Sequence, residues 1–451
     1  DDFARLAGSR RELQGQHGVD VLRVGKGGLW RTFLARYDEV NQLHKKMLWV
    51  SRKVHRMAEG EEKARALDHV WAAQCNCGYW HGLFGGIYLF HIRVANYAHL
   101  IAAEALADGE KGRPSLPLRG KARPGAGWIR VERGDLDADG REEIILNSDR
   151  QVLVFKPSYG GALVEWDWRE RRYNMLNAMA RRREGYHAEL VTAAEEGRLI
   201  LPGQEGPHDG VRVKEPDIHS HLYHDWYRRV ALLDHFLHPE TTLDAFYRAQ
   251  YGEQGNFVNQ PYVATIEEGL EAATLTLQRE GNIWVSDRQV EIRVKKQVTI
   301  SAGSDSLDLH YCLTNMDNGL AVLRFGIEIN WGIVGGDSEH CELRVATGRS
   351  QIANWESHRL SDFREHSDVS VLVVASRLPA LAGEVTLNLN RPAHLWHFPL
   401  EAVSNSEAGY ERVYQGTCTL LWWEIMLEPG TTWAVALRFA LKSVPTGGDL
   451  D

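Results

Sequence analysis

The spacing of apolar residues changes period part-way along this 451-residue chain, and that change constrains the fold more than any single motif. Up to about Arg113 they recur every three or four positions. Val40, Leu43, Met47, Val50, Val54 and Met57 form one stripe, which predicts a helix because that spacing lines one face. Asp38 stands where a cap is expected. Ile87, Phe90, Val94, Tyr97, Ile101 and Ala105 form a second stripe, with Gly109 placed to end it. After about Gly127 the period falls to two. Ala162, Val164, Trp166 and Trp168 alternate with Leu163, Glu165, Asp167 and Arg169. Leu323, Phe325, Ile327, Ile329 and Trp331 alternate with Arg324, Gly326, Glu328 and Asn330. Many such runs, broken by turns, predict a large antiparallel sandwich, interrupted by a helical insert around Tyr173 to Leu199. Between the two textures, Lys111 to Gly120 carries glycines and prolines without a period and reads as a linker. The expected class is α+β multidomain: a helical bundle segment over residues 1–112, then a β-supersandwich over 113–451.

Composition narrows the partners. With 43% hydrophobic residues the chain can build a core, and its length allows two or three domains. A net charge of −9 without a basic block argues against nucleic acid. Cys75, Cys77, Cys312, Cys341 and Cys418 are odd in number and lack paired CxxC spacing, so neither a disulfide framework nor a zinc knuckle is expected. No 18-residue apolar run and no signal peptide are found, so a cytoplasmic protein without membrane contact is expected. The first residues, Asp1-Asp2, lack a methionine and suggest a fragment.

The densest chemistry lies in Gln74-Cys75-Asn76-Cys77-Gly78-Tyr79-Trp80-His81-Gly82-Leu83-Phe84-Gly85-Gly86. An indole beside hydrogen-bonding Asn and His is what a sugar site needs. The ring covers the C–H face of a pyranose while the polar groups reach its hydroxyls. Asn76, Trp80 and His81 are therefore candidate substrate contacts, against the alternative of an aromatic helix start packed in a core.

The stretch resembles, nearly residue for residue, the segment reading roughly Gln-x-Asn-Asp-x-Tyr-Trp-His-Gly-x-Phe-Gly-Gly in glycoside hydrolase family 57. That family holds 4-α-glucanotransferases and α-amylases acting on maltodextrins. Gly27 to Leu34 with Asn41 to Met47, Asp225 to Phe236, and Trp396 to Gly416 resemble further family segments in the same order. The resemblance covers almost the whole chain. It implies that residues 1–112 follow a catalytic (β/α)7 barrel, absent here, and that 113–451 adopt a galactose-mutarotase-like supersandwich. Retaining catalysis needs two carboxyl groups about 5–5.5 Å apart, and the resemblance places both on the barrel. No catalytic residue is assigned, and the chain alone is expected to be inactive. Cys77 departs from the family, which carries a substrate-contacting Asp at that position.

A second signal is Gly134-Asp135-Leu136-Asp137-Ala138-Asp139-Gly140-Arg141-Glu142-Glu143. Carboxylates at alternate positions converge when a loop curls, so Asp135, Asp137, Asp139 and Glu143 are expected to hold Ca2+. Leu146 stands where an EF-hand carries Glu, and the alternative is an acidic hairpin turn with Asp139-Gly140 at its tip. His219-Ser220-His221-Leu222-Tyr223-His224-Asp225 is similar to a metallo-hydrolase zinc run, but Tyr223 replaces the required Asp, so zinc is not expected there. Trp422 and Trp423 point to opposite faces of a strand, one into the core and one open to a partner or a sugar.

Two function classes follow. The first is the C-terminal portion of a 4-α-glucanotransferase, or of an α-amylase of the same family. The second is a non-catalytic carbohydrate-binding or scaffold protein. The expected partners are α-1,4-glucans and maltooligosaccharides, the barrel of the same polypeptide, and a second copy in a homodimer. No organic cofactor is expected.

Overall fold

The computed structural model describes residues 30–81, 86–112, 127–348 and 354–446. Four helices open it: α1 (Trp30–Arg36), α2 (Asp38–His55), α3 (Glu61–Ala72) and α4 (Phe90–Gly112). The first stripe packs as its spacing predicts, with Val40, Leu43, Val50 and Val54 buried among Val70 of α3 and Tyr97, Leu100 and Ile101 of α4. Two local expectations fail. Asp38 is the first residue of α2 rather than its cap; Tyr37 holds the cap position and no side chain accepts a bond there. Asp38 and Glu39 still place negative charge at the positive end of the helix dipole. Gly109 does not end α4, which runs on to Gly112. A glycine inside a helix costs only about 1 kcal/mol, less than the packing of a stripe this long returns. Most of the expected linker lies outside the described residues.

Among the described residues, seventeen strands, all paired antiparallel, form one continuous sheet that folds over itself around a large apolar core. Ser306–Asn315 illustrates the two-residue period, with Leu307, Leu309, Tyr311 and Leu313 inward. The 24-residue strand Gly383–Ser406 ties the layers together. Its first part pairs with Thr432–Ser443, its second with Gly409–Leu427, and Arg364–Ser376 runs along much of it. Register with Arg364–Ser376 slips between Asn388 and Ala393, around Pro392, which has no N–H to give the ladder.

The strand Ala162–Trp168 corrects the simple alternation. Its pairing with Gln151–Lys156 skips Val164, a one-residue irregularity. Ala162 and Val164 therefore pack with Ile145, Val152 and Val154, whereas Trp166 and Trp168 enter the main core. Glu165 and Asp167 are fully buried against α2. The Lys46 ammonium lies 2.7 Å from Glu165, 2.8 Å from Asp167 and 2.7 Å from Glu104 of α4. Lys53 joins Glu104 at 2.8 Å and Asp108 at 3.3 Å, and Arg169 closes on Asp108 at 2.5 Å. Burial alone would discharge Lys46, but Asp167, Glu104 and Glu165 outweigh it and hold it well above the usual lysine range. Burial pushes Asp167 well above the carboxylate range, against the pull of Lys46. The helices are thus joined to the sheet by charge as well as by apolar contact.

The expected helical insert is mostly irregular. Tyr173–Asn174 is a two-residue strand, and only His187–Glu195 is helical. Trp422 and Trp423 are both buried, so neither is open to a partner or a sugar. Trp422 stacks on His394 at 4.0 Å and Trp423 packs on Phe325.

Candidate functional site

The turn that follows α3 is held from behind. Cys75 N–H donates to the Ala72 carbonyl at 3.2 Å, and Asn76–Tyr79 wind into a single 3-10 turn. Tyr79 is buried, and its hydroxyl donates to the Ala73 carbonyl at 2.7 Å. Asn96 of α4 donates to the Cys75 carbonyl at 3.2 Å. Gly78 lets that amide approach, since a Cβ there would sit 2.8 Å from Asn96 Nδ2. Trp80 is extended, and the Ile87 N–H donates to its carbonyl at 2.9 Å. Gly86, at φ +51°, allows this return; a Cβ would collide with the Trp80 carbonyl. Residues 82–85 of the motif lie outside the described residues.

The polar and aromatic residues of the turn face outward. Asn76 and Cys77 are exposed, and Trp80 leaves 43% of its surface in solvent, which is not the burial of a core indole. Cys77 Sγ lies 3.5 Å from Asn76 Oδ1. His81 is half-buried, with Nε2 3.2 Å from the Tyr186 hydroxyl and its ring edge-on to Tyr88 and Tyr186. The four candidate substrate contacts are therefore adjacent, on one pinned turn.

Sequence reasoning missed what stands behind His81. Glu184, buried, accepts from the Tyr37 hydroxyl at 2.9 Å, the Tyr88 hydroxyl at 2.7 Å and Arg36 Nη2 at 3.2 Å. Burial, reinforced by Glu184, pushes the Tyr37 phenol up to about 12 and that of Tyr88 well above its usual value. Both hydroxyls remain donors at neutral pH. The Glu184 N–H donates to His187 Nδ1 at 3.1 Å, so Nε2 carries the proton given to the Val403 carbonyl at 2.9 Å. Tyr410 donates to the Tyr186 carbonyl at 2.9 Å. The turn, the 184–187 segment and the sandwich are thereby locked together. The available cue was a Tyr-His pair after Glu184-Gly185, but nothing in its spacing points to partners about a hundred residues away.

The acidic loop joins strands Ile129–Gly134 and Glu143–Ser148, so its flanks are strands as expected. Asp135 accepts from the N–H groups of Asp139 and Gly140, Asp139 from that of Arg141, and Glu143 from that of Leu136. Oxygens of Asp135, Asp137 and Glu143 lie within 4.8 Å of one another. Burial and Asp137 push Glu143 up to about 7, and its Oε1 is buried without a hydrogen bond. The Lys156 ammonium, which the sequence did not foretell, reaches in to Asp137, to Asp139 at 2.7 Å and to Glu143 at 3.6 Å. An all-carboxylate set with one orphaned oxygen fits a hard cation, and Lys156 is the positive charge now among these groups. In the histidine run, Asp225 is fully engaged by Arg181 at 2.6 Å and Arg229 at 2.7 Å.

Fold and turn together define an α+β chain in which a short helical segment presents an outward polar–aromatic turn and a large sandwich supplies the bulk. Residues 135–437 match the C-terminal domain, and residues 28–107 the middle domain, described as alpha-amylase/4-alpha-glucanotransferase; the chain belongs to that family. It is 29% identical over 421 residues to alpha-amylase 1 of Dictyoglomus thermophilum, covering 92% of this chain and 55% of the relative. It is 31% identical over 409 residues to a 4-alpha-glucanotransferase of Thermococcus kodakarensis, covering 90% and 52%. The crystal structure of 4-alpha-glucanotransferase from Thermococcus litoralis superposes with a TM-score of 0.68 at 28% identity, covering 96% of this chain and 56% of that one. The chain thus spans about half the length of the curated relatives it matches.

Proposed function

We propose that this chain is the helical region and sandwich of a retaining enzyme that transfers α-1,4-glucan segments between maltodextrins, a 4-α-glucanotransferase. An α-amylase-type hydrolase is the neighbouring reading. The observation that carries the proposal is the exposed Trp80 on a turn fixed from behind by Tyr79 and Asn96, with Asn76, Cys77 and His81 beside it. In this reading the indole covers a glucose face, and the Asn76 amide and His81 imidazole reach its hydroxyls. Cys77 is a weak donor and a weaker acceptor than the family's carboxylate, so this subsite binds glucan less firmly. The nucleophile and acid/base are assigned to no residue of this chain. Maltooligosaccharides should therefore quench its tryptophan fluorescence without disproportionation or new reducing ends, and Trp80→Ala should remove most of the quenching. Turnover by a clean preparation, or unchanged binding by Trp80→Ala, would overturn the reading. In the full-length enzyme Cys77→Asp should raise kcat/KM on short maltooligosaccharides, by about tenfold per 1.4 kcal/mol recovered.

We further infer that Asp135, Asp137, Asp139 and Glu143 hold a structural Ca2+. The converging carboxylates and the orphaned Glu143 oxygen support this. A ligand bound only by the native state stabilises by mass action, so chelation should lower the Tm and Asp137→Ala should abolish that sensitivity. An unchanged melting curve with chelator, and no calcium in the purified protein, would leave only a hairpin turn closed by Lys156.

A further inference from the structure

On the far side of the chain in sequence, three histidines meet. Glu356 and His358 share one face of the strand Asn354–His358, being two residues apart. His366 lies on Arg364–Ser376, and His397, opposite Arg364 in the ladder, is its diagonal neighbour on Gly383–Ser406. The imidazole centroids of His358 and His366 stand 4.9 Å apart, with His397 5.5 and 5.6 Å from them and parallel to His366. Rings bound to one tetrahedral zinc at its ordinary Zn–N length stand about 5 Å apart.

Hydrogen bonding does not account for this grouping. Glu356 Oε2 is 3.5 Å from His358 Nε2 and 3.5 Å from His366 Nδ1, too long for good hydrogen bonds. Among the described residues, His358 Nε2, His366 Nε2 and both nitrogens of His397 are buried without a partner. The His397 side chain is wholly buried and that of His366 is 6% exposed. Buried polar atoms left unpaired are costly, and here four are gathered in one place.

A metal would take up His358 Nε2, His366 Nδ1 and Glu356 Oε2 together. Two ligand atoms on a tetrahedral zinc with bonds of about 2.0–2.1 Å lie about 3.4 Å apart, close to the two 3.5 Å separations around Glu356. We propose that Glu356, His358 and His366 bind a single borderline divalent transition metal, zinc first, with His397 as the imidazole backing the site. Neutral imidazole nitrogens with one carboxylate select zinc, cobalt, nickel or copper over calcium and magnesium. Glu356 is half-exposed, so the ion enters from solvent and keeps a position open on that side. The acidic loop, built only of oxygens and a lysine, has the opposite preference, which makes the two sites separable.

Zn2+ titrated calorimetrically into the chelator-stripped 451-residue chain should bind at one equivalent. That equivalent should persist in excess Ca2+ and in Asp137→Ala. Co2+ in its place should give the intense visible absorption of a tetrahedral complex. His366→Ala should weaken zinc by about 100-fold or more. Should that variant fail to fold, Glu356→Gln, at a half-exposed position, supplies the same test by weakening zinc and changing the Co2+ spectrum. Absence of a stoichiometric equivalent in the unaltered chain overturns the proposal. So does zinc affinity unchanged by whichever variant folds.

Discussion

The helical segment has two faces built by opposite rules. Toward the sandwich, α2 and α4 bury Lys46, Lys53, Glu104 and Asp108 against Glu165, Asp167 and Arg169, each ionisable head held by others. Away from it, the turn at Asn76 to Trp80 leaves an amide, a thiol and an indole in water. On the first face the polar groups are tied to the fold, because a buried ion without its partner is far costlier than a surface one. On the second the fold is carried by Tyr79, Asn96 and two glycines, and the exposed residues take no part in the packing.

The largest effect should come from breaking the buried face. Lys46→Met leaves Glu104, Glu165 and Asp167 without their common cation and should cost about 3–5 kcal/mol. Urea unfolding followed by circular dichroism would read this as a lowered midpoint; a loss below about 1 kcal/mol would mean that water replaces the ammonium. A second buried cluster tests the same rule by pH. His235 lies 2.8 Å from both Glu253 and Glu328. Burial would lower it, but its hydrogen bonds to the two carboxylates prevail and hold it at about 9, above its usual 6.5. Its contribution is complete below pH 6.5 and disappears as pH rises through about 9, on the order of 3 kcal/mol. Urea midpoints should fall across that window, and His235→Gln should flatten the profile. The smallest effect belongs to the open face. Trp80→Ala should shift stability by no more than about 0.5 kcal/mol, against roughly 3–5 for an indole buried in a core. A melting curve showing the larger loss would mean that Trp80 serves the fold.

The same contrast explains what could be read from sequence. The stripes on α2 and α4 were legible because their partners share one period. The turn was legible because its four residues are neighbours in the chain. Glu165 and Asp167 read as the water-facing half of an alternating strand; their cation lies on another element, about 120 residues away. The skipped Val164 left no local mark, since a bulge alters pairing rather than composition. Glu184 stood in a stretch expected to be helical, and its tyrosines lie 96 and 147 residues before it. Lys156 and the three histidines were invisible for one reason: cross-strand neighbours have no fixed spacing.

The strand Gly383–Ser406 also dictates an order of assembly. Its ladder partners Gly409–Leu427 and Thr432–Ser443 follow it in the chain, yet they pair with strands made much earlier, Ala321–Trp331 and Ser306–Asn315. Until those later strands arrive, the earlier ones present open edges, the kind of surface that recruits other chains. A nascent chain of this design depends on shielding of those edges until their partner strands have been made.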